Sequence, residues 1–309
     1  MTGFLLLAGA AVILVAGAEL FTEHAGDAGR RLGVSLLVIG LVLAGAEPEE
    51  LFTAIFAAAR ERPAIAAGDA IGANITMLTL VLGLGALPRP LPFGRRVRTY
   101  AAVASTGGLV AALALIGGVA RIEGAGLVAV YVLFVALTWR LERRPPAIGE
   151  VAEMESTEHV SELSSGSTGA VLLMGLGIAV MGLGGWLAVD GAERVVASLD
   201  LEDAAVGLTF VGLATTAELF ALVWAAARRG VEELAVAGVL GSALYNATAT
   251  LGTAALVHPV PAAGLLSASW FAASIPLALV VSSRRGHLSR QLGWVLLASY
   301  LIFVVVTLR

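Results

Sequence analysis

The chain has 309 residues, of which 58% are hydrophobic and 14% are charged, and its formal net charge at pH 7 is −4. Globular domains carry about 25% charged residues, so this composition, with a mean hydropathy of +0.91, excludes an ordinary soluble protein and indicates an integral membrane protein. Cysteine is absent, which excludes disulfides, thiolate metal ligands and cysteine nucleophiles.

Apolar runs close to the roughly 20 residues that cross the hydrocarbon core recur along the whole chain. The alternating pattern of a transmembrane barrel does not recur, so the spans are predicted to be helices. The first span lacks a preceding basic region, which argues against a cleaved signal peptide. Ten spans are predicted, at residues 2–20, 34–59, 64–86, 99–120, 124–141, 169–189, 203–227, 234–256, 262–282 and 290–308.

The arginines predict the orientation, because cytoplasmic loops carry an excess of basic residues. With the N-terminus outside, fourteen of the nineteen basic residues fall in cytoplasmic loops, and only Arg60, Arg62, Arg121, Arg194 and Arg309 fall outside. Both termini are therefore predicted to lie outside the cell membrane. Five spans per half place the second half upside down relative to the first. The predicted units are a first repeat at 1–141, a cytoplasmic linker at 142–168 and a second repeat at 169–309.

An internal repeat supports this division. The segments that begin at Glu50 and at Glu218, 168 residues apart, both start Glu-Leu-Phe and both end Ala-Ala-Ala-Arg. Each places a carboxylate within an apolar span, where a charge costs at least roughly 2.5–3.5 kcal/mol. Two such carboxylates at equivalent positions of a duplicated unit indicate an ion site between the repeats.

Breaks in the spans are predicted close to these carboxylates. Pro48 removes a backbone donor and disfavours helix at Glu47, and residues 45–50 and 68–74 are expected to interrupt the second and third spans. The counterparts in the second half are residues 213–218 and 238–246. Backbone carbonyls freed at membrane depth are tolerated where they line a cavity or bind a cation.

Carboxylate, hydroxyl, amide and carbonyl oxygens are the ligands of hard cations such as calcium and sodium. The alternative for the acids is hydrogen bonding between helices in protonated form, and small polar residues often do no more than join helices. Three glutamates at adjacent helical positions are not expected to face one cavity, so at least one should lie near an access path. The candidate ligands are Glu50, Glu218, Asn246, Ser242, Thr215, Asn74, Glu47 and Glu49.

Residues 17–21 and 30–41 closely resemble the entry to the first alpha-repeat of the sodium/calcium exchanger family, within the calcium/cation antiporter superfamily. Residues 68–74 and 238–246 resemble the second part of that repeat. The resemblance covers essentially the whole chain and implies an all-α membrane protein, with ten helices in two inverted five-helix repeats broken at the midplane. The alpha-1 motif would span about 34–87 and the alpha-2 motif about 203–257.

The ion-binding signature departs from the family pattern of Gly-Thr-Ser-x-Pro-Glu. Residues 45–50 read Gly-Ala-Glu-Pro-Glu-Glu, and alignment from the upstream side makes this copy shorter by a residue or two. The internal repeat pairs Glu50 with Glu218, whereas the Pro-Glu pairing selects Glu49. The resemblance implies that the paired glutamates bind calcium.

Further departures from the family pattern affect the positions whose side chains help to bind sodium. Where the family has a serine after the second glycine, this chain has Ala73 in the first copy and Ser242 in the second. Where the family has an acidic or amide residue, this chain has Met77 in the first copy and Asn246 in the second. The resemblance therefore supports Ser242, Asn246 and the glutamate pair as ion ligands. It gives less support to the presence of several sodium sites. Acids bind protons directly, so proton coupling is an alternative.

The predicted function is secondary antiport that exports Ca²⁺, or a related cation, in exchange for Na⁺ or H⁺. Alternatives are a monovalent cation/proton antiporter on the same fold, a passive cation channel and a homologue that does not transport. Since no nucleotide motif is present, neither enzyme activity nor a cofactor is expected. The expected partners are inorganic cations and the lipid bilayer, not nucleic acid. The sequence allows a monomer and does not determine the oligomeric state.

Overall fold

The computed structural model describes residues 1–32, 47–142, 168–229, 232–283 and 286–309, and these are almost entirely helical. Most of the predicted linker, and Gly45 and Ala46 of the first signature, lie outside the described residues. The helices of the first half are α1 (Thr2–Leu32), α2 (Pro48–Ala59), α3 (Pro63–Ile75), α4 (Leu82–Ala86), α5 (Arg95–Ala114) and α6 (Arg121–Glu142). Those of the second half are α7 (Thr168–Leu199), α8 (Asp203–Val206), α9 (Gly212–Thr215), α10 (Ala217–Arg229), α11 (Glu232–Tyr245), α12 (Leu251–Val257), α13 (Leu266–Ser282) and α14 (Arg290–Thr307).

Short non-α elements join several of these helices. The π-helical turns are π1 (Thr76–Val81) between α3 and α4, π2 (Gly207–Val211) between α8 and α9, and π3 (Asn246–Thr250) between α11 and α12. A 3₁₀ turn (Leu115–Gly117) follows α5. Strands β1 (Leu91–Pro92) and β2 (His287–Leu288) pair antiparallel and so connect the loop before α5 to the loop before α14.

Five helical segments among the described residues are long and apolar enough to cross a bilayer. A sixth is added if residues 203–215 and 217–224, which meet at an angle of 47°, are taken as one broken span. Each half begins with a long helix, α1 or α7, and ends with a helix of 22 residues (α6) or 18 residues (α14). The number of ten spans and the inverted relation of the halves remain predictions.

The two long helices pack against each other along their length. α1 extends to Leu32 and α7 to Leu199, so both are longer than the predicted spans 2–20 and 169–189. Glycines permit the close approach: a Cβ on Gly17 would lie 3.1 Å from the Gly177 carbonyl oxygen. Small residues at such crossings are typical of membrane helices, because association there depends on close van der Waals packing.

The centre of the molecule is the continuous segment formed by α3, π1 and α4. Pro63 is the first residue of α3, where a helix needs no N–H donor, so its missing N–H costs nothing. In the most apolar stretch of the span Pro63–Ala86, 94% of the residues are buried. The predicted interruption at 68–74 is wrong, because these residues are α-helical and the irregularity lies one turn later in π1. Residues 238–246 likewise stay helical as far as Tyr245, and π3 follows.

Candidate cation-binding site

A residue that is not helical, Glu47, immediately precedes α2. Glu47 has φ −149° and ψ 86°, and Pro48 is the first residue of the helix. Both facts follow from proline, which disfavours helix in the residue before it and suits the first helical position. The predicted loss of helical conformation at Glu47 is thus confirmed, while the part of the second span that precedes it lies outside the described residues. Glu49 and Glu50 fall in the first turn of α2, where the positive end of the helix dipole favours negative charge.

Glu47, Glu49 and Glu50 form the carboxylate cluster. The three residues are 0%, 1% and 0% exposed, and one carboxylate oxygen of each lies within 4.8 Å of the others. The expectation that three neighbouring glutamates would not face one cavity is therefore wrong. It assumed helical spacing for all three, whereas the extended backbone of Glu47 turns its side chain back toward those of Glu49 and Glu50.

The negative charge of the carboxylate cluster must be compensated by positive charge. At 4.8 Å and an effective dielectric constant of 20, each pair of ionised carboxylates repels by about 3.5 kcal/mol. Three such pairs would cost about 10 kcal/mol, which is comparable to the whole stability of many proteins. Both oxygens of Glu49 and Glu50 and Oε1 of Glu47 lack hydrogen-bond partners among the described residues. A cation bound by these oxygens, or protons, must compensate the charge.

The second half supplies a fourth carboxylate. α9 ends at Thr215, Thr216 leaves helical conformation with φ −80° and ψ 6°, and Glu218 lies in the first turn of α10. The expected break between residues 213 and 218 is thus present, although no proline marks it. Glu218 is partly exposed and interacts electrostatically with Glu49 and Glu50. Two helix N-termini, one from each half, therefore present glutamates to one region.

Asn246 and Ser242 adjoin the cluster on the other side. The Asn246 Nδ2 donates to Glu47 Oε2 at 3.3 Å, and its Oδ1 accepts from the Thr250 hydroxyl at 3.0 Å. The Ser242 hydroxyl donates to the Gly238 carbonyl at 3.1 Å, and its side chain also interacts with Glu47. Asn246 is the first residue of π3, and π-helical turns are rare elements that often occur at functional sites.

Two other predicted ligands have their hydrogen-bond partners outside the cluster. Asn74 donates from Nδ2 to the Ala243 carbonyl at 2.9 Å and lines a separate cavity of about 10 Å³ between α3, α5, α11 and α13. Thr215 is buried, but its hydroxyl donates to Asp69 Oδ1 at 2.9 Å. The structure therefore brings Glu47, Glu49, Glu50, Glu218, Asn246 and Ser242 together and directs Thr215 to a neighbouring aspartate.

Two polar residues at the site do not appear among the predicted ligands. Asp69 is fully buried in α3, and its position in the middle of an apolar span was a sequence signal equal to that of Glu50. Tyr245 is 1% exposed, packs edge-on against Tyr131 at 5.1 Å and interacts electrostatically with Glu47. Aromatic residues are common in apolar cores, so no sequence signal distinguished this one.

The fold is that of an ion exchanger. The chain resembles the sodium-calcium exchanger NCX_Mj in its crystal structure with 2.5 mM Na⁺ and 0.1 mM Ca²⁺, with a TM-score of 0.66, 25% identity, and coverage of 100% of this chain and 98% of that one. The family model "Sodium/calcium exchanger protein" matches residues 2–140 and 169–309. The chain therefore belongs to the sodium/calcium exchanger family, a family of membrane transporters.

Curated relatives agree with this assignment along most of their length. The putative antiporter CaxA of Alkalimonas amylolytica is 28% identical, with 90% of this chain and 89% of CaxA covered. The uncharacterized membrane protein MJ0091 of Methanocaldococcus jannaschii is 27% identical, with 95% and 94% covered. The family recognised from residues 17–21, 30–41, 68–74 and 238–246 is confirmed, and so is an almost entirely helical fold similar to that of the exchanger NCX_Mj.

Proposed function

We propose that this protein is a secondary antiporter that exports Ca²⁺ in exchange for Na⁺ or H⁺ by alternating access. The observation that carries the proposal is the carboxylate cluster, which is buried and rich in oxygens without hydrogen-bond partners among the described residues. A divalent cation offsets more of the repulsion among three carboxylates than a single monovalent ion does. Hard oxygen ligands of this kind are those that calcium prefers.

In this proposal, the residues of the cluster hold the ion together with Glu218 from the second half. Glu50 and Glu218 alternate between calcium-bound and proton- or sodium-bound states, and Glu47 and Glu49 supply further charge. Asn246 orients Glu47 through its amide, and Ser242 supports the same side chain. Asn74 and Thr215 act at a distance from the divalent ion. Calcium cannot leave the buried cluster without movement of the helices, which couples its release to a change between inward-open and outward-open forms.

The domain and membrane assignments belong to the same proposal. The halves at 1–141 and 169–309 contribute one glutamate-bearing helix start each, and residues 142–168 link them on the cytoplasmic side. Both termini lie outside the cell membrane, as the arginine distribution favours. This arrangement places the ion site between two inverted repeats, where secondary transporters bind their substrates.

Uptake of ⁴⁵Ca²⁺ into proteoliposomes tests the proposed function. Concentrative uptake is expected when a sodium or a proton gradient is imposed, and the gradient that drives it identifies the coupling ion. A passive channel would equilibrate calcium without accumulating it. A monovalent cation/proton antiporter would show pH-dependent sodium or potassium transport that calcium leaves unchanged. No accumulation of calcium under either gradient would contradict the proposal.

Asn246→Ala is expected to weaken calcium binding without abolishing exchange. The substitution removes the amide that donates to Glu47 and leaves the Thr250 hydroxyl without its acceptor. A hydrogen bond to a charged group contributes about 1.5–3 kcal/mol, so the calcium concentration for half-maximal uptake should rise roughly ten- to hundred-fold. The measurement is the calcium dependence of initial uptake rates. A change smaller than two-fold would remove Asn246 from the site.

A further inference from the structure

A groove with a volume of about 280 Å³ lies between α13 and α14. On the side of α13 it is lined by Ser267, Ala268 and Phe271, and on the side of α14 its lining begins at Ser299 and ends at Thr307. From Ser299 to Thr307 an α-helix rises about 12 Å. One leaflet of a bilayer contributes roughly 15 Å of hydrocarbon, so the groove is nearly as long as one leaflet is thick.

The outer edge of the groove faces the bilayer. Ile302 and Val306, which line this edge, are 63% and 66% exposed, and α14 is long and apolar enough to cross a membrane. Exposed apolar surface of this kind is typical of contact with a membrane or with another protein. At the base of the groove, the buried ring of Phe303 stacks on that of Phe271, with the ring centroids 6.1 Å apart. The groove is therefore mainly apolar and open toward lipid.

An internal repeat shows what fills the corresponding place in the first half of the chain. The helices α6 and α14 share arginine, glycine, leucine, tyrosine and phenylalanine at positions 121, 124, 127, 131 and 134 and, 169 residues later, at 290, 293, 296, 300 and 303. The helices α5 and α13 correspond at an offset of 168 residues, and they contact each other where the Ser105 hydroxyl donates to the Ala273 carbonyl at 3.0 Å. Ala268 in α13 therefore corresponds to Tyr100 in α5.

Tyr100 occupies in the first half the place that Ala268 leaves open in the second. Tyr100 is 2% exposed, and its ring packs edge-on against that of Phe134, with the centroids 6.1 Å apart. Phe303 corresponds to Phe134, but the alanine side chain ends at Cβ and supplies no ring to pack beside it. The space next to Phe303 therefore suits an apolar group about as wide as one aromatic ring.

We propose that this groove binds one acyl chain of a phospholipid. An acyl chain fits a space as wide as one ring, whereas a helix from a second copy of the protein is about 10 Å wide and does not enter it. The bound chain supplies the van der Waals contacts that Phe303 lacks on its open side. Ser267 and Thr307 lie at the ends of their helices, so their hydroxyls are placed to meet the ester groups of the same lipid. The inference does not depend on calcium transport.

Ala268→Tyr tests the proposal, because it gives α13 the side chain that α5 carries at the corresponding position. Native mass spectrometry counts the lipid molecules that stay on the protein after detergent exchange in the presence of palmitoyl-oleoyl phosphatidylcholine. This lipid has no net charge, so basic loops do not attract it. Wild type should retain one molecule more than Ala268→Tyr. Equal numbers on wild type and on correctly folded Ala268→Tyr would overturn the inference.

The matched control is Ala298→Tyr, which makes the same change at an exposed residue of α14 that does not line the groove. This variant should retain as many phosphatidylcholine molecules as wild type. Loss of one molecule from the control as well would mean that the retained lipid lies elsewhere on α14.

A second variant, Ser299→Leu, covers the case in which Ala268→Tyr does not fold. It fills the groove from the side of α14, and the Ser299 hydroxyl donates only within its own helix, to the Val295 carbonyl at 2.8 Å. Ser299→Leu should also retain one lipid molecule fewer than wild type. Light scattering of the same samples gives the mass of the protein. A wild-type dimer that either substitution dissociates would mean that a second copy covers the groove, and the proposal would be wrong.

Thermal melting gives an independent readout of the same site. A ligand that binds only the folded protein stabilises it, so adding phosphatidylcholine to delipidated wild type should raise the melting temperature. The increase should be smaller for Ala268→Tyr, because its groove is already filled. An equal increase in both proteins would contradict lipid binding in the groove. Neither assay measures transport, so failure of the proposed calcium exchange would leave both expected results unchanged.

Discussion

Glu50→Gln is expected to abolish gradient-driven calcium accumulation at low calcium concentration. Glu50 is fully buried, lies in the first turn of α2 and interacts with Glu47, Glu49 and Glu218, so it stands at the centre of the carboxylates from both halves. Glutamine keeps the volume but removes one charge. Loss of a charged ligand worth about 2.7 kcal/mol corresponds to roughly a 100-fold loss of calcium affinity, and the initial rate of ⁴⁵Ca²⁺ uptake at low calcium should fall accordingly.

The matched control is Glu123→Gln, which makes the same chemical change at an exposed residue in the first turn of α6. This variant should transport calcium at the wild-type rate. Glu50→Gln should still elute as a single species in size-exclusion chromatography, because removing one of three repelling charges does not disturb packing. Wild-type uptake by correctly folded Glu50→Gln would contradict the assignment of the site.

Gly72→Ala is expected to destabilise the protein more than any other single methyl addition at the helix crossings described. A Cβ at residue 72 would lie 2.2 Å from the carbonyl oxygen of Leu208 and 2.7 Å from its Cα. These are backbone atoms of π2 and cannot rotate away. Overpacking typically costs about 1–3 kcal/mol, and a clash with backbone places this change at or above the upper end. The melting temperature should fall by roughly 6 °C or more.

Gly126→Ala is the control for that change. Gly126 lies in α6, is exposed, and a Cβ there would meet nothing within 4 Å. Alanine is the better helix former, so stability should stay constant or rise slightly. Thermal melting in one detergent, followed by static light scattering or tryptophan fluorescence, compares the two variants. Equal melting temperatures would mean that α3 and π2 do not pack as closely as described.

Class, fold and approximate site could be predicted from the sequence because each has a local signal. Composition identifies a membrane protein, and Pro48 alone predicts the helix break at Glu47. The repeat of Glu-Leu-Phe locates Glu50 and Glu218, whose carboxylates interact in the structure. The break before Glu218 has no local signal and followed only from its equivalence to the first half.

The details that escaped prediction depend on tertiary contacts or on irregular backbone. The gathering of three glutamates depends on the extended conformation of Glu47, which helical spacing does not represent. The π-helical turns have no sequence signature, so the irregularities after Ile75 and Tyr245 were placed too early in the chain. The pairing of Asp69 with Thr215 joins residues 146 positions apart, which only the packing of α3 against π2 brings together.

The most direct test of the central claim is the position of a divalent cation in the protein itself. Strontium substitutes for calcium at oxygen sites and scatters anomalously, so crystals grown or soaked with Sr²⁺ show where the ion binds. The proposal predicts one anomalous peak among the carboxylates of Glu47, Glu49 and Glu50, within coordination distance of Glu218. A peak elsewhere, or none in crystals of transport-competent protein, would contradict it.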